Sequence, residues 1–182
     1  MTAPDSTAWQ TPDGPWFIAE VSSNHATDLD RCLAFVDLAA DTGCTAVKFQ
    51  LFKIDKLFAP EILAQSERHR ARRAWELPEA FLPDIAARAR ARGIAFACTP
   101  FDLEAVAALR DHVDFYKIAS YELLWLDLVR AAAATGKPVI LSTGMATMSR
   151  TTRACPQNAS STRTRQRRCR LWSAFVRRHG LL

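Results

Sequence analysis

The chain has 182 residues, 49% of them apolar, which is enough for the core of one domain and excludes a mainly disordered polypeptide. Its formal charge of +5 divides unevenly: residues 1–150 carry 16 Lys and Arg against 19 Asp and Glu, net −3, while residues 151–182 carry 8 Arg and no acid. The basic balance belongs to that last stretch and excludes an argument from net charge to an acidic partner of the rest.

In chain order, the first strand is expected at 16–21 (WFIAEV), apolar nearly throughout. A helix over 28–42 places Leu29, Leu33, Val36 and Ala40 on one face and stops at Gly43. The second strand is 45–50 (TAVKFQ). Residues 51–77 form a long, charged connection (SERHRARRAWE) that reads as a solvated short helix and loop rather than a lid. A helix over 78–92 has Pro78 in its first turn and Gly93 after its last. The third strand, 94–99 (IAFACT), is followed by a helix that Asp102 caps. The fourth, 114–120 (DFYKIAS), leads to a helix from 124 to 135 before Gly136, and the fifth is 138–143 (PVILST). Strands without polar alternation are covered on both faces, so the class is α/β with a parallel sheet and right-handed crossovers.

After Ser149 the pattern stops: TTRACPQNASSTRTRQRRCRLW has no period of 2 or 3.6 and no acid. Residues 1–150 are therefore expected to be the N-terminal part of a larger domain, and 151–182 an Arg-rich tail of the composition that a shifted reading frame in GC-rich DNA produces. No apolar run reaches the ~20 residues of a membrane helix, and the start (MTAPDSTAWQTPDGP) lacks the features of a signal peptide. The expectation is a soluble, cytoplasmic protein with no membrane partner. The five cysteines (Cys32, Cys44, Cys98, Cys155, Cys169) are odd in number and form no C-x-x-C pair, so they read as reduced thiols.

Each expected strand ends in polar residues: Glu20; Lys48 with Gln50; Thr99; Lys117 with Ser120; Ser142 with Thr143. In (β/α)₈ barrels and open doubly wound sheets alike, strand C-termini form the ligand face. The lysines lie among apolar neighbours (AVKFQ, FYKIAS), where an unpaired ammonium is costly, so each needs an internal acid or an anionic ligand. Thr99, Ser120 and Ser142 either bind ligand or cap the helices that follow, and Glu20 is either a proton-handling group or a solvated strand end. His25, after the first strand, either orients a substrate or bonds the backbone. Two lysines with hydroxyls beside them suit a phosphate or carboxylate, hence turnover of a phosphorylated acid. No glycine-rich phosphate loop, dinucleotide fingerprint or His pair at metal-ligand spacing occurs.

The segments IAEVSSNH (18–25), AVKFQ (46–50), CTPFD (98–102), YKIASYEL (116–123) and VILSTGMA (139–146) resemble, in order and spacing, the sialic acid synthase family of N-acetylneuraminate, legionaminate and pseudaminate synthases. The resemblance covers about 14–150. It implies a (β/α)₈ TIM barrel that condenses phosphoenolpyruvate with an open-chain 2-acetamido sugar such as N-acetylmannosamine. In that reaction C3 of phosphoenolpyruvate attacks the aldehyde, water adds at C2 and phosphate leaves, a divalent metal (Mn²⁺ or Mg²⁺) polarising the aldehyde. Carried over by position, Lys48, Thr99, Lys117, Ser120 and Ser142 hold phosphoenolpyruvate. Glu20 and His25 stand at the reacting centre, and Gln50 and Asn24 contact substrate. The family's metal-binding histidines lie on later strands and its sugar site is completed by the partner of a homodimer; neither has a counterpart here, and His179 stands in unrelated context.

Since a full barrel takes about 250 residues, the expectation is a barrel truncated after five βα units, its first and fifth strands left as edges and its activity low. Two other readings stand beside this one. Lys117 could form a Schiff base, as in an aldolase barrel, or the chain could be a non-catalytic fragment whose Arg-rich tail meets nucleic acid. The tail lacks a recognised module, so no nucleic-acid partner is expected.

Overall fold

The computed structural model describes residues 16–144, 146 and 147. His179, Cys155, Cys169 and the Arg-rich tail lie outside the described residues, and with them the expectation for 151–182. The elements, in order, are β1 (Ile18–Ser22), α1 (Leu29–Asp41), β2 (Ala46–Leu51), α2 (Ile54–Leu57), α3 (Pro60–Gln65), α4 (Glu67–Arg70), α5 (Leu82–Ala91), β3 (Ala95–Pro100), α6 (Leu103–Leu109), β4 (Phe115–Ile118), α7 (Leu126–Ala134) and β5 (Val139–Leu141).

The five strands form one parallel sheet in the order β1-β2-β3-β4-β5. A sheet that adds each strand beside the last, with a helix at every crossover, is five strands and four crossovers of a (β/α)₈ barrel rather than a doubly wound sheet, whose order reverses. Among the described residues β1 and β5 are edges.

Side chains alternate across the sheet with period two. One face carries Val21, Val47, Phe49, Phe96, Cys98, Tyr116, Ile118 and Leu141 into the main core, where they meet Val36, Ile85, Leu109 and Leu128 of the helices. Phe49 and Phe96 meet edge to face there, centroids 6.0 Å apart. The buried Tyr116 hydroxyl donates to the Val106 carbonyl at 3.0 Å, so the phenol enters the core without an orphaned polar group. The other face, the barrel's interior, carries a small apolar cluster: Ala46, Ala97 and Phe115 with Ile18, Ala95 and Ile140 beside them.

Local signals explain the helix ends. Asp28 accepts from the Arg31 N–H at 3.0 Å and Asp102 from the Ala105 N–H at 2.7 Å, each satisfying one of the first-turn donors of α1 and α6. Gly43 and Gly93 stand just past α1 and α5 at φ of 78° and 72°, a conformation that side chains disfavour.

Three expectations need correction. Pro78 does not open a helix: it precedes a 3₁₀ turn (Glu79–Phe81), and the proline in the first turn of α5 is Pro83. The helix expected over 124–135 is a 3₁₀ turn at Glu122–Leu124 followed by α7, because Trp125 departs from helical dihedrals. Residues 51–77 hold more structure than one short helix, namely α2, α3, α4 and a 3₁₀ turn at Ala71–Trp75. These pieces are held by side-chain bonds, including Arg70 to Glu67 at 2.5 Å and Glu76 accepting from the Ile54 N–H at 2.7 Å, contacts that periodicity does not reveal.

Candidate functional site

The same period-two alternation that builds the two faces sorts the polar residues. Glu20, Lys48, Gln50, Thr99, Lys117 and Ser142 share the parity of Ile18, Ala46, Ala95, Phe115 and Ile140, so all six stand on the interior face, towards the C-terminal end of the strands. Register brings them side by side: Glu20 opposite Lys48, and Gln50 opposite Thr99.

Lys48 is buried. Its ammonium pairs with the Glu20 carboxylate and donates to Thr99 Oγ1 at 3.3 Å. Glu20, more exposed, also accepts from the Ser22 N–H at 3.0 Å, where β1 breaks register and Ser22 takes a φ of 54°. Lys117 donates to Ser142 Oγ at 2.5 Å and to the Ile118 carbonyl at 3.1 Å, and among the described residues no carboxylate lies within ion-pair distance of it. Burial brings Lys117 down to about 8, and the positive charge of Lys48 adds to the effect; Glu20 and Glu122 oppose it. The strand ends thus gather two ammonium groups with one carboxylate in direct contact, an arrangement that attracts an anion.

Neither Thr99 nor Ser120 caps the helix that follows it, and the stretch after Ser142 lies largely outside the described residues. Asp102 caps α6, and neither the turn at Glu122–Leu124 nor α7 has a side-chain cap. Thr99 and Ser142 accept from the two lysines instead, which leaves each O–H free to donate onward. Ser120 stands beyond the end of β4, against the loop after β5: a Cβ on Gly144 would lie 3.6 Å from its own.

His25 and Asn24 are not drawn into this set. Asn24 is exposed, and its amide donates to the Val21 carbonyl at 2.8 Å, closing the turn after β1. His25 is fully buried; its Nδ1 accepts from the Thr27 N–H at 3.0 Å, and its ring lies 6.3 Å from Phe49. Phe49 follows Lys48 in β2 and therefore points to the opposite face. Burial lowers the imidazole's affinity for a proton, and because Nδ1 accepts from Thr27, a neutral ring carries its hydrogen on Nε2. Of the two readings for His25, the geometry shows the backbone bond.

Glu122 escaped the sequence reading. One of its carboxylate oxygens is buried without a hydrogen-bond partner, burial raises its pKa, and the charge of Lys117 pulls the other way. The signal was available: an acid two residues beyond Ser120 in YKIASYEL, charged between apolar flanks like Lys117 itself.

No three of His, Cys, Asp or Glu among the described residues come together to hold a metal ion. Cys32, Cys44 and Cys98 are free thiols, and burial pushes Cys98 well above the ordinary range. No helix among the described residues is long and apolar enough to cross a membrane.

Residues 35–168 match the model of the NeuB family. An uncharacterised protein of Methanocaldococcus jannaschii is 37% identical over 131 residues, which is 71% of this chain and 38% of that protein. The N,N'-diacetyllegionaminic acid synthase of Campylobacter jejuni is 34% identical over 142 residues, covering 72% of this chain and 42% of the enzyme. Among solved structures, the N-acetylneuraminic acid synthetase of Leptospira borgpetersenii, in complex with citrate, superposes with a TM-score of 0.69 at 32% identity, over 76% of this chain and 48% of that one. The chain spans about two fifths of the length of these curated relatives.

Proposed function

Because the chain belongs to the NeuB family, we propose that its strand-end lysines hold phosphoenolpyruvate for condensation with an open-chain 2-acetamido sugar, giving a nonulosonic acid and phosphate. The observation that carries this reading is the pairing of each lysine with a hydroxyl. Lys48 with Thr99 and Lys117 with Ser142 present two positive charges, and two O–H groups that no longer need their own hydrogens, on one face. A ligand bearing both a phosphate and a carboxylate satisfies all four donors, whereas a neutral sugar leaves the charge uncompensated. The relatives named as legionaminic and neuraminic acid synthases support the product class.

In the proposed reaction a bond forms between C3 of phosphoenolpyruvate and the aldehyde carbon, whose oxygen takes a proton. Water then adds at C2, and loss of phosphate from that carbon leaves the 2-keto acid. Glu20, the carboxylate in contact with Lys48, is the acceptor for a proton or a sugar hydroxyl at this end of the sheet, and Glu122 is the second acid near Lys117. Gln50 and Ser120 line the same rim. The divalent ion that the family resemblance implies does not fit the described residues, which offer it no cluster of ligands; none of the steps assigned to them runs through one.

Titration of the full chain with phosphoenolpyruvate, followed by phosphorus NMR, tests this. Saturable binding weakened at least roughly tenfold by Lys117→Met is the expected result, since a charge-assisted hydrogen bond contributes on the order of 1.5–3 kcal/mol. Binding equal to wild type in that variant overturns it. The lowered pKa of Lys117 also favours the Schiff-base reading. Borohydride in the presence of pyruvate separates the two: a covalent adduct on Lys117 supports the aldolase, and its absence the phosphoenolpyruvate enzyme.

A further inference from the structure

The opposite end of the sheet holds a cleft of about 290 Å³, near the lower bound for small-ligand pockets. Its wall is apolar where Trp16, Ile94, Phe115 and Pro138 meet, just ahead of or at the start of β1, β3, β4 and β5. Two cationic or potentially cationic side chains border it, Arg90 from the last turn of α5 and His112 from the turn before β4. Neither side chain makes a hydrogen bond, ion pair or ring contact among the described residues; only their backbones are engaged, the His112 N–H donating to Leu109 and the Arg90 carbonyl accepting from Gly93.

The one acid on the rim is already committed. Asp114 accepts from the Phe96 N–H at 2.8 Å, and its charge, with that of Asp111, attracts the Lys137 ammonium and offsets part of what burial costs that lysine. Among the described residues no acid lies within ion-pair distance of Arg90, so its guanidinium is a charge of the cleft without a contacting partner, and it sits beside aromatic and aliphatic surface. A guanidinium offers a planar fork of donors that matches a carboxylate, and rings pack against a flat apolar body.

We propose that this cleft is a second ligand site, separate from the strand-end lysines, that takes a small carboxylate with an apolar body. The carboxylate pairs with Arg90, with His112 as a further donor, while the body lies against Trp16 and Phe115. In barrels of this kind the chemistry sits at the strand C-termini, so an occupant here is bound and not turned over.

The test is benzoate titrated into the full chain, observed by ligand NMR and by the indole N–H shift of Trp16, with benzyl alcohol as the neutral counterpart. The expected result is saturable binding that moves the Trp16 signal, is weakened roughly tenfold or more by Arg90→Gln, and is at least about tenfold weaker for benzyl alcohol. Lys48→Met, at the other end of the sheet, leaves benzoate affinity within about twofold. Arg90 is exposed, so its variant retains the fold, which circular dichroism verifies. Equal binding of the alcohol, indifference to Arg90→Gln, loss of binding in Lys48→Met, or no saturable binding by wild type each overturns the proposal.

Discussion

The interior face of the sheet has two halves of opposite character, built by the same strands and separated by two residues. Towards the strand N-termini, Ile18, Ala46, Ala97, Phe115 and Ile140 make a dry apolar layer. Two positions on, Glu20, Lys48, Thr99, Lys117 and Ser142 make a charged one. The difference teaches that burial in this fold is not a property of a strand but of a layer. A lysine is tolerated where a hydroxyl and the open end of the sheet are within reach, and is excluded one layer below, where the neighbours are methyl groups and a phenyl ring.

Moving a charge into the lower layer should have the largest effect. Ala97→Asp puts an unpaired carboxylate at a fully buried site and should cost about 3–5 kcal/mol, read from the urea midpoint. A near-wild-type midpoint would mean that the lower layer is not dry. Next in size, Lys117→Met removes the ammonium that has no carboxylate in contact and should reduce affinity for phosphoenolpyruvate by roughly 2 kcal/mol, while Glu20→Gln, which removes the acid competing for Lys48, should raise it severalfold. Equal losses from both substitutions would show that the layer acts through packing and not charge.

The pH profile sharpens the same comparison. Lys117 lies near 8 in the fold against an ordinary 10.5, so it sheds its charge as pH rises past 8, and anion affinity should fall by up to about tenfold per pH unit there, a slope absent from Lys117→Met. Lys117 itself holds more protons unfolded than folded between pH 8 and 10.5, so stability without ligand, taken as the difference between wild type and Lys117→Met, should rise with pH across that window. A flat binding profile would place the decisive charge on Lys48 alone. Smallest is Asp102→Ala, which removes the cap of α6 and should cost about 1 kcal/mol in thermal stability with no change in anion affinity.

Much of this layering is legible along the chain, and the limits of what is legible are physical. Glu20, Lys48, Thr99, Lys117 and Ser142 stand out because a polar residue ending an apolar run is conspicuous in one dimension. His25 stands out only as a histidine in the loop after the first strand, and its ring ends on the far side of β2 beside Phe49, because the turn after β1 passes through left-handed dihedrals at Ser22, Ala26 and Thr27 that no residue type there announces. Pro78 suits a first helical turn by its type, and only the 3₁₀ turn that follows it moves the opening of the helix to Pro83. The three short helices between β2 and α5 rest on contacts such as Glu76 with the Ile54 N–H, which pair residues far apart in sequence.

By itself, then, the sequence determined the class, the number and order of the strands and the end of the sheet where polar groups gather, because periodicity and strand-end composition are local and the strand period of two leaves little freedom. Only the tertiary structure decided which partners those groups take. It set Lys48 against Glu20 while leaving Lys117 without a contacting acid, buried one carboxylate oxygen of Glu122, and left the side chains of Arg90 and His112 uncommitted around a cleft at the other end. Those outcomes depend on strand register and on desolvation, which exist only once distant segments have packed against each other.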